Sequence, residues 1–412
     1  MIASHSLADD SNPALCGVLA CRIAESPNQR LTFAEYMDLV LYEPEHGYYA
    51  TRAIDIGPQG DFFTSPHLGA DFGELLAEQF LQMWEILDQP TPFTLLELGA
   101  GQGLLAADIL RYLYRHHSDF YAALDYMIVE RSDALRHEQQ RLWRREQGEQ
   151  GRLGKLGEKE KIKWATLEEI PVGSIVGCCF SNELVDALPV HQIIIDQGKL
   201  REVYVTTGLV EVIDKLSTQW LAEYFDLVGI ELPSRAYPSG YRSEVNLAAL
   251  DWLKAVGERL QRGYLLTIDY GYPSARYYSP ARLRGTLQCY YRHQHHDNPY
   301  INIGRQDITA HVDFTALELW GELCGLHKIG FTQQGLFLMA LGLGERLAAL
   351  STGDAVSSKQ GLSFLLRQRE ALHQLMNPMG LGGFGVLVQC RGLTEAEIAY
   401  PLKGLSFPGS GR

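Results

Sequence analysis

Leu95-Leu96-Glu97-Leu98-Gly99-Ala100-Gly101-Gln102-Gly103 is an apolar run that ends in an acid and three alternating glycines. A buried strand followed by glycines, which let bare backbone approach a ligand, is the local signature of a nucleotide-cofactor turn. The spacing narrows the choice. A dinucleotide turn reads GxGxxG and needs its third glycine where this chain has Leu104. Leu104 to Tyr114 then carries Leu104, Leu105, Ile109, Leu110 and Leu113 at helical spacing, so the segment predicts strand, turn and helix. Three glycines in a strand-to-helix turn also occur without any ligand, and the surrounding chain has to decide.

The next apolar run, Tyr126-Met127-Ile128-Val129, ends in Glu130. An acid at the tip of a neighbouring parallel strand is placed to hydrogen-bond a ribose diol. With that acid in view, the GxGxG turn resembles the first motif of class I S-adenosylmethionine-dependent methyltransferases. Further strand-like runs at Ser174 to Phe180, Tyr264 to Ile268 and Val386 to Val388 are separated by helical segments. That alternation implies an α/β chain whose mostly parallel sheet is flanked by helices on both faces. Residues 1–90 read as a helical portion around an aromatic-rich loop, with helices from Leu31 to Tyr42 and from about Ala70 to Leu87. Residues 91–412 read as the cofactor-binding domain, with an inserted cap subdomain at about 190–260. In that insertion His191 to Ile195 and Arg201 to Val205 flank the turn Asp196-Gln197-Gly198-Lys199, and Leu221 to Ile230 and Leu247 to Leu260 have helical periodicity.

The chain has 412 residues with 36 Lys plus Arg against 50 Asp plus Glu, a net charge of −14 that argues against a nucleic acid gripped through its phosphates. Its most basic stretch, Arg136 to Lys163, interleaves Arg and Lys with Glu and Gln as a solvated surface does. The seven cysteines are odd in number and scattered without CxxC or metal-ligand spacing, which points to a reducing compartment. The first ten residues lack the basic and apolar regions of a signal peptide and the arginines of a transit peptide, and no apolar run approaches a membrane span. The expectation is a cytoplasmic protein without membrane insertion. His293, His295 and His296 read as a hydrogen-bonded turn; no HxxxH pairing is present, and no metal site is expected.

Cys178 to Pro189 is an apolar strand that runs into the polar turn Ser181-Asn182-Glu183-Leu184-Val185-Asp186. In an open α/β sheet the carboxyl ends of the central strands line the ligand crevice, so Asn182, Glu183 and Asp186 are the candidate catalytic residues. Methyl transfer from a sulfonium is an in-line displacement. It needs a positioned lone pair and a group that orients or deprotonates the nucleophile, and a carboxylate can clamp a guanidinium in bidentate fashion. That Asn182 and Asp186 only cap a following helix stays open. Gly60 to His67 reads as a turn capped by Thr64 or Ser65, and Thr267 to Tyr272 brings an acid and aromatics to another strand end, as one wall of a pocket.

Seven ordered motifs resemble the MidA-like methyltransferase family: Thr32 to Met37 with Leu41 to Tyr49; Gly60 to Pro66 with Phe72-Gly73-Glu74; Glu97 to Gly103; Ser181 to Glu183 with Asp186 to His191; Ile268 to Gly271; Arg284 to Leu287; and Asp307 to Phe314. The resemblance implies a class I fold with S-adenosyl-L-methionine as donor. It implies that Glu97, Gly99, Gly101, Gly103 and Glu130 hold the cofactor while Asp61, Thr64 and Ser65 close over it. It further implies a protein substrate methylated at arginine, and a respiratory complex I-type subunit is the acceptor of the family's mitochondrial member; a homodimer is compatible. His67 stands where the family carries an acid, and Ala100 where it often carries proline. An assembly factor that acts by protein contact, or an enzyme that methylates oxygen or nitrogen of a small molecule, is compatible with the same residues.

Overall fold

The computed structural model describes residues 10–51, 64–149, 161–292, 294–352 and 359–406. Phe93–Leu98 (β1) is buried along its whole length, as a central parallel strand must be when helices cover both faces. The strands that follow in the same sheet are Leu124–Val129 (β2), Ile162–Ala165 (β3), Ile175–Asn182 (β4), Leu260–Asp269 (β5), His327–Gln333 (β6) and Gly385–Arg391 (β7). Their order is β3-β2-β1-β4-β5-β7-β6. All neighbours from β3 to β5 are parallel, whereas β7 runs antiparallel to both β5 and β6. Strand order reverses between β1 and β4, and a doubly wound sheet opens a ligand crevice at that switch point.

Alternate side chains serve the two faces. Leu95 and Cys178 join a core with Phe80, Leu110 and Phe180, while Leu96 and Cys179 pack with Leu253, Val256 and Leu317 on the other side. Helix Leu104–His116 leaves the glycine turn and buries Leu105, Ile109, Leu110 and Leu113. Helix Asp71–Ile86 lies beside it; a Cβ on Gly73 would come within 2.8 Å of Asp108 Cβ, so glycine permits that approach.

A second, antiparallel sheet is built from His191–Asp196, Lys199–Thr206, Glu211–Asp214 and Arg242–Val245, joined at its edge by Arg30–Thr32. The expected helix from Leu31 therefore starts two residues late, at Phe33. Leu31 and Thr32 pair with Val205 and Tyr204, and Thr32 forms a reciprocal cap with Glu35. Helices Pro13–Glu25 and Phe33–Tyr42 share a core with Val190, Val205, Ile303 and Ile308. Leu247–Arg259 forms on schedule and leads directly into β5, with Leu253 and Val256 in the main-sheet core. Part of the basic stretch is the helix Asp133–Glu149; residues 150–160 lie outside the described residues. Among the described residues no helix is long and apolar enough to cross a membrane.

Candidate active site

Gly99, Gly101 and Gly103 all have positive φ, of 70°, 52° and 81°. Two of them are glycine for different reasons. A Cβ on Gly99 would press to 2.7 Å from Leu184 Cδ1, whereas one on Gly101 would meet nothing within 4 Å and would project into open space. That space is a cleft of about 820 Å³ including its mouth, bounded by the glycine turn, Glu97, Glu130, Asn182 and Glu183.

The two acids of the first strands are buried. Glu97 accepts the Tyr126 hydroxyl at 2.6 Å, and burial pushes its carboxyl up to about 7 against that hydrogen bond. Glu130 takes the Ser132 N–H at 2.9 Å and the Gln139 amide at 3.1 Å, and burial likewise raises it to about 7. Gln139 also donates to the Gly101 carbonyl at 2.8 Å and accepts from the Trp164 indole at 2.9 Å. One amide thus ties the glycine turn, Glu130 and β3 together.

Thr64 begins the described chain on the far side of the cleft. Its hydroxyl lies 2.6 Å from His67 Nδ1, and His67 Nε2 lies 3.3 Å from Gln102 Oε1. Burial holds the His67 ring below its usual pKa, so the neutral imidazole accepts from Thr64 and donates to Gln102. The histidine that departs from the family's acid joins this loop to the glycine turn. Ser65 is placed differently: its hydroxyl is fully buried against Gln334, 3.1 Å from that amide nitrogen, and only its N–H turns toward the site, to Glu183 Oε1 at 3.3 Å. Asp61 lies outside the described residues.

At the tip of β4, Glu183 adopts φ 52°, a left-handed conformation costly for any residue with a Cβ and concentrated at functional sites. Its N–H donates to the Ile268 carbonyl at 3.0 Å, and its carboxylate also accepts from Asn182 Nδ2 at 3.1 Å. Burial pushes Glu183 up to about 8 against these bonds. The turn is held from within by Asp269, whose Oδ2 accepts the N–H groups of Leu184, Val185 and Asp186 at 3.2, 2.8 and 3.4 Å. Asp269 is fully buried, so of the acid and aromatics at that strand end it is Tyr270 that lines a pocket. Asp186 does not cap a regular helix; it is the middle residue of a single 3₁₀ turn, Val185–Ala187. Burial first, then Asp269, Asp307 and Glu183, hold its carboxyl well above the usual range.

Beyond Glu183 a second cleft of about 1290 Å³ opens, with Asp186, Asp307, Tyr270 and Tyr290 on its walls. Tyr49 and Glu183 border both clefts. Tyr49 stacks on Tyr42 with centroids 5.2 Å apart, and its hydroxyl donates to Asp307 at 3.0 Å, while the Tyr42 hydroxyl donates to the Ala187 carbonyl at 2.9 Å. Tyr49 and Asp307 stand inside motifs quoted above, but nothing local in the sequence pairs residues 258 positions apart. Gln139 carries no sequence signal at all, and Gln102 is marked only by standing between two glycines of the turn. Among the described residues no group of three or more His, Cys, Asp or Glu side chains is arranged to hold a metal ion.

The sheet order with its antiparallel β7, the glycine turn at the switch point and the acid at the tip of β2 define a class I S-adenosylmethionine-dependent methyltransferase. The residues fit that cofactor: Gly101 leaves room where a side chain would intrude, and Asn182 Oδ1 is a buried acceptor without a partner among the described residues. A family model described as "Putative S-adenosyl-L-methionine-dependent methyltransferase" matches residues 75–332, and the chain belongs to that family. It is 32% identical over 394 residues to the protein arginine methyltransferase NDUFAF7 homolog, mitochondrial, of Drosophila melanogaster, covering 90% of this chain and 84% of the relative. Against human NDUFAF7, also named a mitochondrial protein arginine methyltransferase, it is 29% identical over 369 residues, covering 85% and 78%. A Burkholderia thailandensis protein crystallised with S-adenosyl-homocysteine superposes with a TM-score of 0.79 at 29% identity, over 96% of this chain and 95% of that one. S-adenosylmethionine is the methyl donor of this enzyme.

Proposed function

We propose that the protein transfers a methyl group to an arginine side chain of a polypeptide. The observation that carries this reading is the second cleft, where three carboxyl groups (Glu183, Asp186, Asp307) meet the rings of Tyr49, Tyr270 and Tyr290 beside the cofactor cleft. Clustered carboxyls that repel one another are relieved by a cation, and a planar guanidinium suits both carboxylate and aromatic walls. The names of the relatives, protein arginine methyltransferases, agree with it.

When bound, S-adenosylmethionine supplies a methyl group on a sulfonium. In this reading Glu130 would hold the ribose hydroxyls, Asn182 Oδ1 the amino group, and the bare backbone at Gly101 would allow close passage. Glu183, at the border of the two clefts, aligns the guanidinium. Entry of that cation lowers the carboxyl pKa values, so Glu183 and Asp186 are charged in the complex. With the methyl donor bound, Glu183 would take the proton that the guanidinium nitrogen sheds as that nitrogen is methylated. Tyr42 and Tyr49 keep water from the junction.

A subunit of a respiratory complex I-type assembly is the acceptor favoured by the family resemblance. None of the seven cysteines is in a disulfide among the described residues, which fits a reducing compartment such as the cytoplasm. Mass spectrometry of cells with and without this chain tests the reading: a methylarginine site lost with the protein supports it, and an unchanged methylarginine complement sinks it. A folded, cofactor-free Gly101→Val protein that restored the missing phenotype would instead favour assembly by protein contact.

A further inference from the structure

Arg276 and Arg282 lie over the same ring, with guanidinium carbons 4.1 and 4.7 Å from the Tyr272 centroid, so the two cations are within about 9 Å of each other. Neither forms an ion pair among the described residues. Arg30, Arg131, Arg242, Arg262 and Arg346 each have a carboxylate partner, in a chain with 50 acids to 36 Lys plus Arg. Arg276 is exposed and Arg282 half-buried with a hydrogen bond to the Tyr272 hydroxyl, so a planar anion that reaches the pair gains charge-assisted hydrogen bonds from both guanidinium groups.

Both adjoin residues that line the acceptor cleft. The Tyr272 hydroxyl is 3.4 Å from that of Tyr270, which lines the cleft, and the His311 ring packs 4.2 Å from Tyr270 and 5.0 Å from Tyr272. Burial, with Arg282 and Arg276 adding to it, pulls His311 down to about 3, so it brings no charge of its own. The cleft floor is acidic and the pair beside it cationic.

We propose that Arg276 and Arg282 form a specificity subsite for the carboxylate of an Asp or Glu side chain that lies near the target arginine in the acceptor polypeptide. The inference rests on the arginine reading above. The Tyr270 and Tyr272 centroids are 6.1 Å apart and the Arg276 guanidinium is 4.1 Å from the Tyr272 centroid, so Arg276 lies within about 10 Å of the Tyr270 ring. An extended chain covers up to that distance in about three residues at roughly 3.3 Å each, which places the acid within four positions of the arginine.

The test labels proteins of the protein's own cells with purified enzyme and methyl-labelled S-adenosylmethionine, maps the methylarginine sites, and assays synthetic C-terminally amidated peptides spanning them. Expected are an acid within four residues of the mapped arginine, a KM at least tenfold higher when that acid becomes its amide, and kcat within twofold. The Arg276→Gln/Arg282→Gln double variant, with unchanged S-adenosyl-homocysteine affinity as proof of fold, has the same raised KM on both peptides and loses the salt dependence of KM; Arg276→Lys/Arg282→Lys retains part of the discrimination. Sites without a flanking acid, or a double variant that still discriminates, overturn the subsite while leaving arginine methylation standing. Discrimination that appears only with a free C-terminal carboxylate overturns the side-chain assignment. Absence of methylarginine altogether overturns both readings.

Discussion

Valine at Gly101 and valine at Gly198 impose the same backbone penalty on two turns, and only the first of those turns is assigned to the cofactor. Gly101 has φ 52° and Gly198, in the hairpin between His191–Asp196 and Lys199–Thr206, has φ 73°. Neither has an atom within 4 Å of where a Cβ would stand, so packing contributes little at either site. The left-handed conformation costs a non-glycine residue about 1–3 kcal/mol, toward the upper end for a β-branched side chain. Both variants therefore unfold at lower urea concentration by similar amounts. S-adenosyl-homocysteine at a hundredfold excess over Kd adds about 2.7 kcal/mol of stability to a protein that binds it. Gly198→Val regains that increment. Gly101→Val does not, because its methyl groups fill the space the cofactor needs. Denaturation curves for both proteins with and without ligand read the difference directly. Equal ligand stabilisation of the two variants would refute the assignment of the glycine turn to the cofactor.

Glu183→Gln lowers kcat by about 10²–10⁴-fold, the range for loss of a general base, while leaving cofactor affinity nearly unchanged. The same substitution has a defined pH signature. A carboxyl raised to about 8 in the folded state holds its proton there but not in the unfolded chain, so its contribution to stability is lost as pH climbs from about 5 toward 9. Glu183→Gln is accordingly more favourable relative to wild type at pH 9 than at pH 5, in urea titrations at the two values, and an unchanged difference contradicts the burial of that group. Binding of a guanidinium ligand to wild type strengthens over the same interval because the cation releases protons from the cleft, and calorimetry in buffers of different ionisation enthalpy detects the release. Gln139→Ala leaves Glu130 and the Gly101 carbonyl without their shared donor and weakens S-adenosyl-homocysteine binding by about tenfold, at a stability cost of about 1–3 kcal/mol. Asp269→Asn, which replaces the carboxylate that receives three N–H groups of the 184–186 turn, destabilises by about 2–4 kcal/mol and lowers kcat more than it changes cofactor affinity.

What was legible in the chain follows from how each element is stabilised. The central strands announce themselves because both faces are covered: Phe93–Leu98 is buried throughout, and the apolar run ends where the crevice begins. Ile162–Ala165 and His327–Gln333 are edge strands with mixed exposure, and their alternation is confined to two apolar residues each, Ile162 with Trp164 and Ile329 with Phe331, too short to stand out locally. Arg30–Thr32 is three residues long and exists because Lys199–Thr206 offers it an edge, a partnership no local window contains. The same limit applies to the site. Glycine spacing and acids at strand tips are local and point to Gly101, Glu130 and Glu183. The bonds that organise them, Gln139 to Glu130, His67 to Gln102 and Tyr49 to Asp307, join side chains of common type across turns and between separate elements. Ser65 shows the converse: the residue type fits a cofactor loop, yet packing turns its hydroxyl to Gln334.

The central claim is that the cofactor cleft and the acidic cleft beside it act together on arginine. Incubation of the purified chain with methyl-tritiated S-adenosylmethionine and proteins of its own cells, followed by acid hydrolysis and amino-acid analysis, tests it most directly. The account predicts tritium in methylarginine, abolished by Gly101→Val and reduced about a hundredfold or more by Glu183→Gln. Tritium recovered in another amino acid or in a small molecule, or label in methylarginine that survives both substitutions, would contradict it.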